Sequence, residues 1–228
     1  MLSSQIIEML MIQDRLNKMI DPDWLTADHS WGRAIMVESV ELMDEVGWKW
    51  WKARPEINLH HTALEISDIW HFVLSDTLVK TKGNIQEATL VIKRGWLGAT
   101  EYQERVADEP FPGVYIDFGK LPLARRVEVF GCQAGLTGEV DIPMLFNIAK
   151  ELGISGLDLY HSYLIKNSLN IFRQENGYKD GTYIKDWNGR EDNEVLYDIA
   201  FGAETMSLQR LMGGLTEAYA EVLATQKK

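Results

Sequence analysis

An all-α helical bundle is the fold class that this sequence predicts, and three observations carry the prediction. Apolar residues recur at helical spacing over most of the chain, Val114 to Phe118 is the lone strand-like run, and Pro, Gly and Asn punctuate the sequence between segments of helix length. With 228 residues the chain can bury one large core, and 46% hydrophobic with 25% charged residues matches a soluble globular protein, read as a single domain over 1–228. A formal net charge of -11 argues against a protein that grips nucleic acid. The single cysteine, Cys132, excludes an intramolecular disulfide and suits the reducing cytoplasm. Met1 to Leu10 lacks the basic region of a signal peptide, and no uncharged apolar run reaches about 20 residues, so neither export nor a membrane span is expected.

The elements follow in order. Ser3 or Ser4 is placed to cap a first helix that ends near Ile20, before Asp21-Pro22. A second helix is expected from about Asp28 to Val46, ahead of Gly47 and the cluster Trp48, Trp50, Trp51. A third spans about His60 to Val79, and residues 84 to 107 read as more helix with a break near Gly95 and Gly98. The stretch from Asp108 to Gly138 is the least regular, and together with its flanks it reads as a loop, a boundary or a small irregular or helical insertion, mobile in one reading, around 96–150. Pro143 fits the first turn of a helix to about Leu152 with Asp141 near its cap, and another helix covers about Leu157 to Gln174. A Gly- and Tyr-rich loop from Asn176 to Asn193 then leads into a final helix ending near Leu223.

Two acidic pairs, Glu38-x-x-Glu41 and Glu65-x-x-Asp68, sit inside the second and third helices. Residues three apart share a helix face, so each pair offers two oxygen ligands from one surface. On the second helix Glu38, Glu41 and Glu45 fall within roughly 60° of arc, while Ile35, Met36, Val40, Met43 and Val46 fill much of the rest. A solvent-facing acidic stripe is the bland alternative. A helix apolar nearly all round is expected to be buried, however, and buried acids need cations or protons. The second occurrence, on a helix joined by a short connection, sets two acidic faces opposite each other as a four-carboxylate cage. An all-oxygen set suits Mg²⁺, with Mn²⁺ as a substitute. The Glu-x-x-His spacing of a di-iron bundle is missing, and His29, His60, His61, His71 and His161 read as surface or hydrogen-bonded residues.

Between Tyr160 and Arg190 the charge balance reverses locally. Lys166, Asn170 and Arg173 fall at i, i+4 and i+7 on one helix face, and Lys179 and Lys185 follow among Tyr163, Tyr178, Tyr183 and Trp187. In an acidic chain this reads as an anion site that complements the carboxylates around a polyphosphate. No P-loop and no dinucleotide-binding fingerprint occurs.

These residues resemble a known family. Gln13-x-x-x-Asn17, Arg33-Ala34-Ile35 through Glu38-x-x-Glu41-Leu42 to Gly47-Trp48-Lys49-Trp50-Trp51-Lys52, Glu65-x-x-Asp68-Ile69-Trp70-His71-Phe72, and Phe172-Arg173-Gln174-x-x-Gly177-Tyr178-Lys179-x-Gly181-x-Tyr183-x-Lys185 with Glu191-Asp192-Asn193 are similar to the all-α, dimeric dUTPases of the MazG-like NTP pyrophosphohydrolase superfamily. The likeness spans most of the chain but is weak from about 96 to 150. It implies a catalytic domain that hydrolyses dUTP to dUMP and pyrophosphate, and dUDP to dUMP and phosphate, through attack at the β-phosphorus, keeping uracil out of DNA and supplying dUMP. By that resemblance Glu38, Glu41, Glu65 and Asp68 hold Mg²⁺ and Glu41 polarises the attacking water. Lys166, Asn170, Arg173, Tyr178, Lys179 and Lys185 bind phosphates. Gln13 and Asn17 read the uracil edge, Asn193 contacts the nucleoside and Trp48 walls the base pocket. It also implies a homodimer. A related pyrophosphohydrolase with another base preference, such as dCTP, and a non-enzymatic nucleotide-binding helical protein are the competing readings.

Overall fold

The computed structural model describes residues 1–53, 56–99, 121–202 and 206–226. Among them the chain forms α1 (Ser3–Ile20), α2 (Trp31–Val46), α3 (Leu59–Lys80), α4 (Ile85–Gly98), α5 (Leu123–Thr137), α6 (Ile142–Glu151), α7 (Gly156–Glu175), α8 (Asp192–Phe201) and α9 (Leu208–Gln226). Extended pairing among the described residues is confined to an isolated bridge between Asp186 and Glu191. The strand-like run 114–118 lies outside the described residues.

α3 is the axis of the bundle. Ile66, Ile69, Trp70, Val73 and Leu74 are fully buried on it, and it packs against α1, α2 and α7. The Trp70 indole lies 5.2 Å from the Phe146 ring of α6, and its Nε1 points at the Met9 sulfur of α1 at 3.3 Å. One long helix thus carries the core on one side and leaves Glu65, Asp68 and Phe72 on the other.

Helix ends follow local chemistry, with some departures from the sequence reading. The cap of α1 is Leu2 rather than a serine: the Leu2 N–H donates to Gln5 Oε1 at 2.8 Å. α2 starts at Trp31 rather than Asp28, because residues 22–27 form a turn and His29 pairs with Asp21 at 2.9 Å. Asn58 caps α3, Asn84 caps α4, and Asp141 caps α6 by accepting from the Met144 N–H at 3.0 Å. Ser155 and Asp158 form a reciprocal capping box at the start of α7. Gly95 does not break α4. It sits where Ile142 of α6 approaches so closely that a Cβ would lie 2.4 Å from the Ile142 side chain. The expected final helix is two helices, α8 and α9, with Gly202 as the C-cap of the first.

The segment read as irregular after residue 120 is regular helix. α5 lies along α2, and α6 packs on α4 and α5, so Val127, Phe130, Met144, Leu145 and Ile148 belong to the common core. The expectation that α2 is buried nearly all round is corrected: Gly32, Ile35, Ser39 and Leu42 face inward, whereas Val37 and Val40 are about half exposed.

The α2–α5 contact depends on small residues. A Cβ at Gly32 would lie 2.1 Å from the Ala134 carbonyl oxygen, a backbone atom that cannot swing away. Gly32→Ala is therefore expected to destabilise the protein by about 2 kcal/mol through forced helix separation. Gly213→Ala, which points into open space, should not destabilise it. Urea unfolding of both variants checks this.

Candidate functional site

A cavity of about 460 Å³ opens between α1, α2, α3 and α7, and half of the expected site residues border it. Gln13 and Asn17 are a buried part of its lining, its floor; Glu38 and Asp68 border it from α2 and α3, and Asn170, Arg173 and Tyr178 from α7 and the loop after it.

The floor is a buried pair of amides held by hydrogen bonds. Gln13 Nε2 donates to Asn17 Oδ1 at 3.0 Å, and Asn17 Nδ2 donates to Ser75 Oγ at 2.8 Å. The Ser75 hydroxyl donates onward to the His71 carbonyl at 2.9 Å. Gln13 Oε1 lies 3.2 Å from the Tyr163 hydroxyl and accepts from Asn167 Nδ2 at 3.4 Å. Neither amide can flip without breaking this chain. Each keeps one N–H uncommitted, and Asn17 Oδ1 keeps a lone pair.

At the acidic end, Glu38, Glu65 and Asp68 bring carboxylate oxygens within 4.8 Å of one another. Glu41, one turn after Glu38, is exposed and stands outside this group of three, although its charge reaches both Glu38 and Glu65. Burial, and then repulsion from Asp68, pushes Glu38 and Glu65 each up to about 7. Glu65 Oε2 is buried without a hydrogen-bond partner. Lys166 answers part of this charge by pairing with Asp68 at 2.8 Å; burial works against its proton, but Asp68 holds its pKa above the ordinary value. Three hard oxygen donors still short of positive charge fit a divalent cation.

The cationic side is organised by a residue that the sequence reading quoted but gave no role, Asp192 at the start of α8. Its carboxylate is 1% exposed and accepts from Arg173 Nε and an Arg173 terminal nitrogen, both at 2.8 Å. It also accepts from the Tyr183 hydroxyl at 2.8 Å and the Asn193 N–H at 2.9 Å. Burial alone would raise the Asp192 pKa, yet these donors hold it below the usual range. Tyr178 lies against Arg173, and the Lys185 ammonium stands 5.3 Å above the Tyr178 ring.

Several expected residues fall elsewhere. Lys166 faces the acid cluster rather than the loop. Lys179 donates to the Ile20 carbonyl at 2.8 Å and so ties the loop to the end of α1. Asn193 and exposed Lys185 do not line the cavity. Trp48 does not border this cavity: its indole N–H donates to Asp44 at 2.6 Å, and it lines a separate depression between α2 and α5. The aromatic wall is instead Trp24, Trp31 and Phe72, with Trp31 set 6.0 Å from Trp24 and 6.3 Å from Phe72. Only the helical register of Phe72 with Asp68 hinted at this, since Trp24 sits in a turn with no periodic signal.

All-helical architecture, a carboxylate cluster and a tethered cationic loop around one cavity mark the class of all-α nucleotide hydrolases. A family model described as dUTPase matches residues 5–178, most of the chain, and the protein belongs to that family: it is a dUTP diphosphatase. No match was found among curated proteins. Tyr183, Lys185 and Asp192 lie beyond the matched segment. Among the described residues no helix is long and apolar enough to cross a membrane.

Two outcomes follow from this electrostatic arrangement. Glu38 and Glu65 bind protons more tightly folded than unfolded, so their contribution to stability is present below about 4.5 and lost as pH rises through about 7. The metal-free protein should therefore lose thermal stability across that window, and Glu65→Gln should flatten the loss; calorimetry from pH 5 to 8 reads it. Asp192→Ala leaves the mostly buried Arg173 guanidinium uncompensated and should cost about 3 kcal/mol in denaturant unfolding.

Proposed function

We propose that this chain hydrolyses dUTP to dUMP and pyrophosphate with Mg²⁺, and dUDP to dUMP and phosphate at the same site. The observation that carries the reading is the convergence of Glu38, Glu65 and Asp68 within 4.8 Å beside a cavity floored by Gln13 and Asn17. Cleavage of the bond between the α- and β-phosphates yields dUMP from either nucleotide, so one arrangement serves both.

Glu38, Glu65 and Asp68 hold the Mg²⁺, which when bound supplies charge neutralisation for the polyphosphate; Mn²⁺ meets the same oxygen donors. Glu41, on the solvent side of Glu38, polarises the attacking water. Arg173 and Asn170 orient phosphate oxygens, with Tyr178, Lys179 and Lys185 at the rim and Lys166 shared with Asp68. The two amide N–H groups left free on Gln13 and Asn17 donate to uracil O2 and O4, and Asn17 Oδ1 accepts from the N3–H between them. Cytosine reverses two of these three positions and leaves buried groups unpaired, so it is rejected. Trp31 and Phe72 pack on the base. Asn193 takes its nucleoside contact on closure of the loop.

A homodimer is part of this proposal. Val37, Val40, Trp48, Trp50 and Trp51 leave a band of exposed apolar surface along and beyond α2, with Trp50 88% exposed. A second copy of the chain is the partner that covers it.

Turnover of each deoxynucleoside triphosphate, with and without Mg²⁺ and with products identified, tests the substrate and metal together. Strong preference for dUTP, loss on chelation and recovery with Mg²⁺ are expected. Comparable turnover of dCTP or dTTP would sink the assignment. Glu65→Gln should lower kcat by about 10²- to 10³-fold or more with the fold intact, as when a preorganised charge-stabilising group is removed.

A further inference from the structure

Two residues lining the cavity carry a buried polar atom with no partner and no use in the scheme above: Trp24, whose indole Nε1 is a donor, and His71, whose free nitrogen is an acceptor. His71 is 5% exposed, it lines the cavity, and its Nε2 is buried without a hydrogen-bond partner. Its Nδ1 lies 2.6 Å from the Ser67 carbonyl oxygen. A carbonyl can only accept, so Nδ1 carries the proton and Nε2 presents a bare lone pair. The ring is locked in this orientation by the Tyr163 ring, 4.6 Å away and tilted by 30°. Burial keeps the imidazole neutral by lowering its pKa. His71 is thus a fixed, unpartnered acceptor on a residue that lines the ligand cavity, and what satisfies it must be an N–H or O–H donor.

Its place on α3 says which. Asp68, His71 and Ser75 follow one another at i, i+3 and i+7 on one helix face. Asp68 belongs to the carboxylate cluster, and Ser75 holds Asn17 in the amide floor. His71 therefore lies on α3 between Asp68 of the carboxylate cluster and Ser75 behind the base-reading amides, with about 4.5 Å of helix rise separating it from Asp68. In a deoxynucleotide the group between base and phosphate is the sugar, and the only O–H of deoxyribose in that chain is the 3′-hydroxyl. We infer that His71 Nε2 accepts a hydrogen bond from the 3′-hydroxyl of the bound nucleotide, so that this residue selects for an intact 3′ end. The inference rests on the placement of base and phosphates proposed above.

The test is a four-way comparison of kcat/KM: wild type and His71→Phe, each with dUTP and with 2′,3′-dideoxyUTP. The wild type should lose roughly 10- to 100-fold when the 3′-hydroxyl is absent, the cost of one unmade buried hydrogen bond. His71→Phe should lose a similar factor with dUTP and then treat the two substrates alike. A merely structural role would lower both substrates and leave their ratio unchanged, which overturns the inference. If the variant instead relaxes the preference for dUTP over dCTP and keeps the 3′ effect, the donor is the base N3–H and the assignment fails. Should His71→Phe not fold, the ¹⁵N resonance of the wild-type His71 Nε2 decides: it should shift with dUMP and not with 2′,3′-dideoxyUMP, and equal shifts reject the idea. The preference of wild type for dUTP over dCTP is read in parallel. If it is missing, the base is not on the Gln13–Asn17 floor and the order along α3 is lost. If it is present while the 3′ group makes no difference, the His71 assignment alone fails.

Discussion

The organisation of this protein turns on a shortage of positive charge at one place in the bundle. Glu38 from α2 and Glu65 and Asp68 from α3 converge where water is partly excluded, and Lys166 is the cation paired with them. Carboxylates in such a position either take up protons or draw in a cation. The rise of Glu38 and Glu65 to about 7 shows how near that balance lies to neutrality. A compact divalent ion would resolve the shortage, because the oxygens lie within 4.8 Å of one another. The geometry of α2 against α3 is in turn held from behind by the close α2–α5 contact at Gly32 and by the buried face of α3.

The same helices set the rest of the cavity. Tyr163 and Asn167 of α7, Gln13 and Asn17 of α1 and Ser75 of α3 form one hydrogen-bonded chain. It crosses three elements in the interior, so shifting either floor amide breaks hydrogen bonds within it. Networks of this kind are costly when any member is missing and specific when all are present. Here the unmet capacity belongs to two residues that line the cavity, which is the condition for reading a ligand edge rather than merely filling a core.

What the sequence displayed and what it concealed divide along physical lines. Periodic features were legible. The acidic pairs, the Gln13–Asn17 turn and the Lys166–Asn170–Arg173 face each depend on helical spacing, which the chain shows directly. Most helix ends could be read as well, because residues such as Asp141 and Gly47 carry local capping chemistry. Features that depend on distant contacts were hidden. Nothing near residue 192 announces that Asp192 meets Arg173 nineteen residues earlier. The regular course of α5 was masked by the prolines and glycines before it. Gly95 looked like a breaker because its reason, the nearby Ile142, is far away in sequence. Trp48 drew notice from its tryptophan-rich surroundings, while Trp24, in the turn at 22–27, reaches the cavity against Trp31, which lies against Phe72.

A count of the cations sharpens what the site needs from outside. The sequence places five basic or amide groups on α7 and its loop as phosphate partners, but the structure has already committed much of that charge. Lys166 is paired with Asp68, Arg173 is held in a two-point contact by Asp192, and Lys179 caps the end of α1. A guanidinium fixed in this way keeps its charge and gains direction, so Arg173 orients a phosphate without supplying an unopposed cation. Only exposed Lys185, over the Tyr178 ring, is without such a tie among these four residues. In a chain of net charge -11, a polyphosphate cannot be neutralised by that inventory. Under the proposed reading the missing charge comes with the divalent ions that the carboxylate cluster attracts. Nucleotide and metal then depend on each other: the cluster that lacks positive charge and the ligand that brings negative charge are reconciled by the same ions.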